Sequence, residues 1–302
     1  MAAVNTARLV EEITGRLSLR FGPGIAAWCT AVPALAQEMA ARWDLKLDEA
    51  YPDGASSVAL RCSRADGTRA VLKLSPDPPF LADQADMLRR FAPGGRVPGV
   101  LAVDAAAGAV LLESIEPGTG ADELALPPPP QEWGQLVRAL HCAAAPPHFP
   151  RDLRGRCDEF FARIGRRLAE PHIGQRVRPA DLDRGADRYG LLLATAPSRV
   201  LLHGDLHLGN VLDGGPARGL VAIDPRACVG DPCFDAVDYA LDGAGHDGVG
   251  HRCAAVAPAA GLDADRLYAW CRAIAPIIAI NRVGRPGQEQ AVAELLTLAQ
   301  AQ

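Results

Sequence analysis

Between residues 203 and 235 the chain gathers polar side chains that could act together: His203-Gly204-Asp205-Leu206-His207-Leu208-Gly209-Asn210, then Ile223-Asp224-Pro225, then Gly230-Asp231-Pro232-Cys233-Phe234-Asp235. A strand ending in His-Gly-Asp, an asparagine five residues after that aspartate, and a second aspartate ending the next strand can converge on one point. Phosphoryl transfer needs such a set. Asp205 would accept a hydroxyl proton and aim the nucleophile, while Asn210 and Asp224 supply oxygen ligands to Mg²⁺, which bridges nucleotide phosphates and offsets developing charge. His203 is expected to hydrogen-bond loop backbone beneath Asp205. Asp231, set between a glycine and a proline, reads as a turn aspartate, and His207 either lines the site or faces solvent. A competing chemistry takes His203, Asp205 and His207 as zinc or manganese ligands for phosphoester hydrolysis, because alternate residues of a strand share a face.

The segments upstream must position a nucleotide if the first chemistry holds. Apolar residues at Ile25, Trp28, Val32, Leu35, Met39 and Trp43 recur at helical spacing around Pro33. From residue 45 to 74 the pattern changes to short strand-like runs, with Asp66-Gly67 as a hairpin signal between Ser57–Cys62 and Ala70–Leu74. Lys73 lies inside the apolar run Val71-Leu72-Lys73-Leu74, so its side chain is expected on the half-buried side of a strand, a costly position unless an anion meets it. Asp53-Gly54-Ala55-Ser56-Ser57 is a loop whose small residues let backbone amides approach an anion. A helix is expected at about 80–92, stopped by Pro93-Gly94-Gly95, followed by strands over 100–104 and 109–114. Three strands, a helix and two strands describe a small antiparallel sheet backed by one helix. After the proline run 127–130 the pattern is mostly helical, with helices expected near 131–144, 157–169 and 181–195.

Composition narrows the classes. The 302 residues carry 31 Lys and Arg against 36 Asp and Glu, a net charge of −5, which argues against a nucleic-acid binder. Hydrophobic residues make up 49% and charged residues 22%, enough for a substantial core. No apolar run is long enough to span a membrane and no secretion signal opens the chain, so a cytoplasmic, monomeric protein is expected. Eight scattered cysteines without metal spacing fit reduced, mostly buried thiols.

The His-Gly-Asp-x-His-x-x-Asn core with the later Ile-Asp-Pro and Gly-Asp-Pro resembles the Brenner-type motif of the aminoglycoside phosphotransferases. Trp43-Asp44-Leu45, Arg64 to Lys73, and Leu111-Leu112-Glu113 are similar to the streptomycin 6-phosphotransferase and hydroxyurea-resistance-kinase branch of that family, and the similarity spans roughly residues 26–300. The resemblance implies an α+β, bilobal protein-kinase-like fold: a helical lead-in over 1–44, a nucleotide-binding lobe over 45–115, and a helical lobe over 116–302. It implies that Asp205 is the catalytic base, that Asn210 and Asp224 hold Mg²⁺, that Asp231 braces the catalytic segment, and that Lys73 reaches the α- and β-phosphates of ATP. Ser56 and Ser57 would cover the phosphates, and Glu113 and Ile115 would contact the nucleotide. Kinases place a glutamate on the helix at 80–92 to pair with the lysine; here that position holds Gln84, with Asp83 and Asp86 as substitutes if the helix is rotated. The activity implied is ATP-dependent phosphorylation of a hydroxyl on an aminocyclitol antibiotic or of hydroxyurea. Another metabolite alcohol, or a non-catalytic ATP-binding protein, are the alternatives. A protein kinase fits less well, since the thirteen residues between Asp224 and Asp238 contain no Ser, Thr or Tyr.

The charge excess has an address. Asp224, Asp231, Asp235, Asp238, Asp242 and Asp247 face a single basic residue, Arg226, within residues 224–247. Asp235, Asp238, Asp242 and Asp247 are therefore expected near the entrance of the acceptor site, with Asp235 and Asp238 as acceptor contacts, where negative potential would attract a cationic small molecule. A solvated helix face is the other reading of the same run.

Overall fold

The computed structural model describes residues 6–301. They divide into two compact units: residues up to Ala92 together with Val97–Gly118, and Pro93–Arg96 together with the chain from Thr119 onward.

The first unit begins with α1 (Thr6–Phe21) and α2 (Ala26–Trp43), then runs through β1 (Leu45–Ala50), β2 (Val58–Arg64), β3 (Arg69–Leu74), α3 (Pro78–Phe91), β4 (Val100–Asp104) and β5 (Ala109–Glu113). The strands form one antiparallel sheet in the order β1-β2-β3-β5-β4. The β2–β3 hairpin turns at Asp66-Gly67, where Gly67 takes φ 83° and Asp66 Oδ1 accepts from the Thr68 amide at 2.9 Å. Residues Ile13, Leu17, Cys29, Val32, Ala36 and Met39 of the two helices share one core with Val58, Leu60, Leu72, Leu74 and Leu111 of the sheet. The helical lead-in is thus not a separate body, which corrects the division at residue 44. Its apolar stripe cannot be buried by two helices alone, and the sheet supplies the missing face. α3 starts where Asp77 caps the Phe80 amide at 3.1 Å and prolines 78 and 79 occupy the first turn. Its buried face, Leu81, Gln84, Ala85, Leu88 and Phe91, packs on β4 and β5.

The second unit holds α4 (Pro130–Leu140), α5 (Leu153–Gly165), the single turn α6 (Pro171–Gly174), α7 (Pro179–Ala194), β6 (Val200–Leu202), β7 (Val211–Asp213), the turn α8 (Gly215–Arg218), β8 (Leu220–Ala222), β9 (Cys228–Gly230), α9 (Val237–Asp242), α10 (Val249–Ala260), α11 (Ala264–Arg282) and α12 (Glu289–Gln300). Two small ribbons interrupt the helices: β6 pairs with β9 and β7 with β8, both antiparallel. The β6–β7 connection is residues 203–210 and the β8–β9 connection is residues 223–227, so strand pairing alone brings the two polar segments of the sequence side by side. α11 is buried along Leu267, Trp270, Cys271, Ile274 and Ile277 and packs against α7, α10 and α12. No helix among the described residues is long and apolar enough to cross a membrane. All eight cysteines are free thiols, and all but Cys142 are buried.

Candidate active site

Residues 203–210 leave β6 through a turn that only glycine permits. Gly204 adopts φ 76°, and a Cβ there would collide with the Arg226 carbonyl oxygen. That close approach docks the loop on the β8–β9 connection: the Arg226 amide donates to His203 O at 2.9 Å, and the Ile223 amide donates to Asn210 O at 2.9 Å. The His203 ring is fully buried and its Nε2 donates to Ile223 O at 2.9 Å. Burial lowers its pKa, which keeps the ring neutral and acting as a strut.

Asp205 stands at the head of this loop with 31% of its side chain exposed. Asn210 folds back on it, donating from Nδ2 to the Asp205 carbonyl oxygen at 2.9 Å, a bond that commits the amide nitrogen and leaves Oδ1 as the available oxygen. Asp224 follows β8 in the left-handed conformation, φ 58°, unusual for a residue with a side chain and typical of positions held by their surroundings. Among the described residues no group of three His, Cys, Asp or Glu side chains converges on a metal position. That removes the His203, Asp205 and His207 trio as a zinc or manganese site; His203 Nε2 is already spent on a carbonyl. Asn210 and Asp224 are two oxygen donors on adjacent segments. Such a sparse, hard set suits Mg²⁺, which keeps several waters and takes further oxygens from phosphates.

The loop rests on Asp235. Its carboxylate is 1% exposed and accepts from the His203 amide at 2.8 Å, the Gly204 amide at 2.9 Å and His141 Nε2 at 3.0 Å. Burial would raise its pKa, but the His141 bond and charge, with the Gly204 amide, outweigh burial and hold the group below the usual carboxylate range. Asp235 therefore does not face an acceptor entrance, and that expectation is corrected: it is buried, and two of its three donors are the backbone amides just before Asp205. The rest of the acidic run is compensated in the same way. Asp231, fully buried, accepts from the Cys233 amide at 3.0 Å, Arg266 Nε at 2.6 Å and Trp270 Nε1 at 2.8 Å. Asp242 pairs with Arg282 at 3.0 Å and Asp247 with Arg252 at 2.9 Å. The remaining member of the run, Asp238, is half-buried. Its pKa is pushed up to about 6, first by burial and then by the like charges of Asp205 and Asp235, against His207 and Arg156. His207 itself is exposed at the rim.

Two arginines beside Asp205 escaped the sequence reading. Arg156 Nη2 donates to Asp205 Oδ1 at 2.7 Å, and Arg226 Nε lies 3.9 Å from Oδ2. Arg226 could have been found from its place two residues after Asp224. Arg156 could not, because the helix was expected to begin at 157, whereas Asp152 caps it five residues earlier by accepting from Gly155 N at 2.9 Å.

In the first unit, Lys73 is 5% exposed on the central strand β3, and its Nζ donates to Gln84 Oε1 at 3.0 Å. Gln84 of α3 thus meets the lysine, while Asp86 is turned to Arg89 at 3.1 Å. Ser57 is buried, and the Ser56 carbonyl accepts from Ser75 Oγ at 2.9 Å, tying the β1–β2 loop to the end of β3. Ile115 is buried. The Glu113 carboxylate accepts from the Gly99 amide at 2.8 Å, tying the end of β5 to the segment before β4.

A family model for aminoglycoside/hydroxyurea antibiotic resistance kinases matches residues 42–283. Streptomycin 6-kinase of Streptomyces glaucescens is 32% identical over 243 residues, covering 77% of this chain and 75% of its own length. Hydroxyurea phosphotransferase of Kitasatospora aureofaciens is 30% identical over 299 residues, covering 95% and 86%. Among solved structures, the apoenzyme of a macrolide 2′-phosphotransferase from Brachybacterium faecium superposes with a TM-score of 0.58 at 20% identity, over 90% of this chain and 98% of that one, a likeness of fold. A match over most of the length, together with two relatives at 30% identity or above, settles the assignment: the chain belongs to the aminoglycoside/hydroxyurea antibiotic resistance kinase family, phosphotransferases with the protein-kinase-like fold.

Proposed function

We propose that the protein transfers the terminal phosphoryl group of ATP to a hydroxyl of a small antibiotic, with an aminocyclitol of the streptomycin kind as the first acceptor and hydroxyurea as the second. The observation that carries this reading is the loop at residues 203–210, which holds a partly exposed carboxylate, Asp205, beside Asn210 and docked on the segment that carries Asp224. Asp205 accepts a hydrogen bond from the acceptor hydroxyl, aims its oxygen for in-line attack and takes its proton as the new P–O bond forms. Asn210 and Asp224 would hold Mg²⁺. The ion, when bound, offsets charge on the phosphate oxygens. Lys73 is assigned to the nucleotide phosphates: its ammonium lies at 5% exposure on β3, where the Gln84 amide oxygen orients it at 3.0 Å. Ser56 and Ser57 would contribute backbone amides at the phosphates, and Ile115 and the Glu113 backbone an apolar and polar edge for the base. Asp238 is the one acidic residue of the 224–247 run retained as an acceptor contact, together with His207 at the rim. The two relatives' names favour both acceptors, and the reading separates them by experiment. A coupled assay for ADP release on streptomycin, other aminocyclitols and hydroxyurea, with Asp205→Asn as control, should give acceptor-dependent turnover that the variant loses. ATP consumption that is the same for both proteins on every acceptor would overturn it.

A further inference from the structure

The two oxygens of the Asp205 carboxylate are treated differently by their surroundings. Oδ1 receives the 2.7 Å bond from Arg156 Nη2, whereas the nearest donors to Oδ2 are Asn210 Nδ2 at 3.5 Å and Arg226 Nε at 3.9 Å, both beyond a strong hydrogen bond. The same Arg156 guanidinium donates from Nε to the Gly204 carbonyl oxygen at 3.0 Å. One planar fork therefore grips the side chain of Asp205 and the peptide just before it. Lysine could not do this, because its single ammonium has no fixed two-point geometry.

Arg156 is itself held in place. Its side chain is 11% exposed and lies with the guanidinium 5.9 Å from the Phe160 ring centroid. It sits one turn into α5, whose start is capped by Asp152 and joined to the site by the Val229 amide donating to Arg151 O at 3.0 Å and by Arg151 Nε donating to Ala227 O at 2.9 Å. An exposed ion pair would contribute almost nothing. A nearly buried, two-point grip on a partly exposed carboxylate instead fixes orientation.

We propose that Arg156 is a positioning residue for phosphoryl transfer: by occupying Oδ1 and anchoring the Gly204 carbonyl, it turns Oδ2 alone toward the acceptor hydroxyl. This rests on the reading of Asp205 as the group that orients that hydroxyl. Arg156 touches neither acceptor nor nucleotide in this account; it acts through Asp205. A misplacement of about 1 Å in a reacting group costs on the order of 10²-fold in rate, which sets the expected scale.

The test compares Arg156→Met, which keeps the stem beside Phe160 and removes the fork, with Arg156→Lys, which keeps the charge and loses the two-point grip. The expected result is a fall in kcat of about 10- to 100-fold for the methionine variant and a smaller fall for lysine, with KM for ATP within about twofold of wild type in both. Because the effect runs through Asp205, adding Arg156→Met to Asp205→Asn should cost little further rate. Millimolar guanidinium should restore part of the activity of Arg156→Ala. Should the methionine variant fail to fold, the lysine variant and the guanidinium rescue carry the test. Wild-type kcat in both the lysine and methionine variants, or losses that multiply fully in the double variant, overturn the proposal while leaving Asp205 in its role. An Asp205→Asn enzyme as fast as wild type overturns the role of Asp205 and the proposal with it.

Discussion

Asp235→Asn is the sharpest structural perturbation of the loop. The carboxylate receives three donors, the His203 and Gly204 amides and His141 Nε2, at 2.8, 2.9 and 3.0 Å, in a site that is 1% exposed. Asparagine retains one acceptor oxygen and points an NH₂ where the other stood. If the oxygen keeps the Gly204 amide, the NH₂ meets the His203 N–H donor to donor. An orphaned buried amide costs about 1–3 kcal/mol, and the charged bond to His141 is worth about 1.5–3 kcal/mol. The sum, roughly 2.5–6 kcal/mol, brackets the usual cost of about 3–5 kcal/mol for breaking a buried charged pair. Urea unfolding followed by circular dichroism should show a lower midpoint with an unchanged slope. The sign with pH follows from the lowered pKa of Asp235. A carboxyl whose folded pKa lies below its unfolded one stabilises the fold above the unfolded value, and that contribution is lost as pH falls through the folded value. The gap between wild type and variant should therefore be full at pH 7 and narrow below about pH 4. Kinetically, kcat should fall for every acceptor while acceptor KM holds, because what moves is the backbone under Asp205. A variant within about 0.5 kcal/mol of wild type, with a selective rise in acceptor KM, would refute this reasoning and return Asp235 to the acceptor entrance.

Three further outcomes are expected. Asp238, with its pKa raised from 3.8 to about 6 chiefly by burial, binds its proton more tightly folded than unfolded, so wild-type stability should fall as pH rises from about 4 to 6. Asp238→Asn should then be more stable than wild type at pH 8 by up to about 3 kcal/mol in thermal melts; a less stable variant would show that the carboxylate has a partner this account lacks. Lys73→Met should raise KM for ATP by about tenfold or more, the scale of a lost charged bond to phosphate, and leave acceptor KM unchanged. Gln84→Glu should change it by less than about threefold, since Lys73 is already held at 3.0 Å by the amide; isothermal titration with a non-hydrolysable nucleotide measures both.

The parts of this molecule that are local in sequence could be read from it. Asp66-Gly67 announces the β2–β3 hairpin, prolines mark the first turns of α3 and α4, and the eight residues from His203 to Asn210 carry the loop's polar groups in one stretch. Lys73 in an apolar run was legible because burying an ammonium is costly and the cost needs a reason. What escaped was supplied from far along the chain. His141 reaches Asp235 from 94 residues away, Arg156 reaches Asp205 from 49, and Arg266 and Trp270 reach Asp231 from 35 and 39. Counting charges between 224 and 247 found the aspartates but not Arg252, Arg266 and Arg282, which lie beyond that window and neutralise them. Net charge in a window describes a surface only when the charges reach it unpaired; here Asp231 and Asp235 are buried, and Asp242 and Asp247 are paired with arginines.

The central claim is that Asp205 delivers an antibiotic hydroxyl to the terminal phosphoryl group of ATP. Mass spectrometry of streptomycin and of hydroxyurea after incubation with ATP, Mg²⁺ and either wild type or Asp205→Asn tests it most directly. The account predicts one added phosphoryl group on an acceptor with wild type, formed about 10²- to 10⁴-fold more slowly by the variant. Equal product from both proteins, or ATP consumed by wild type with no phosphorylated acceptor, would contradict it.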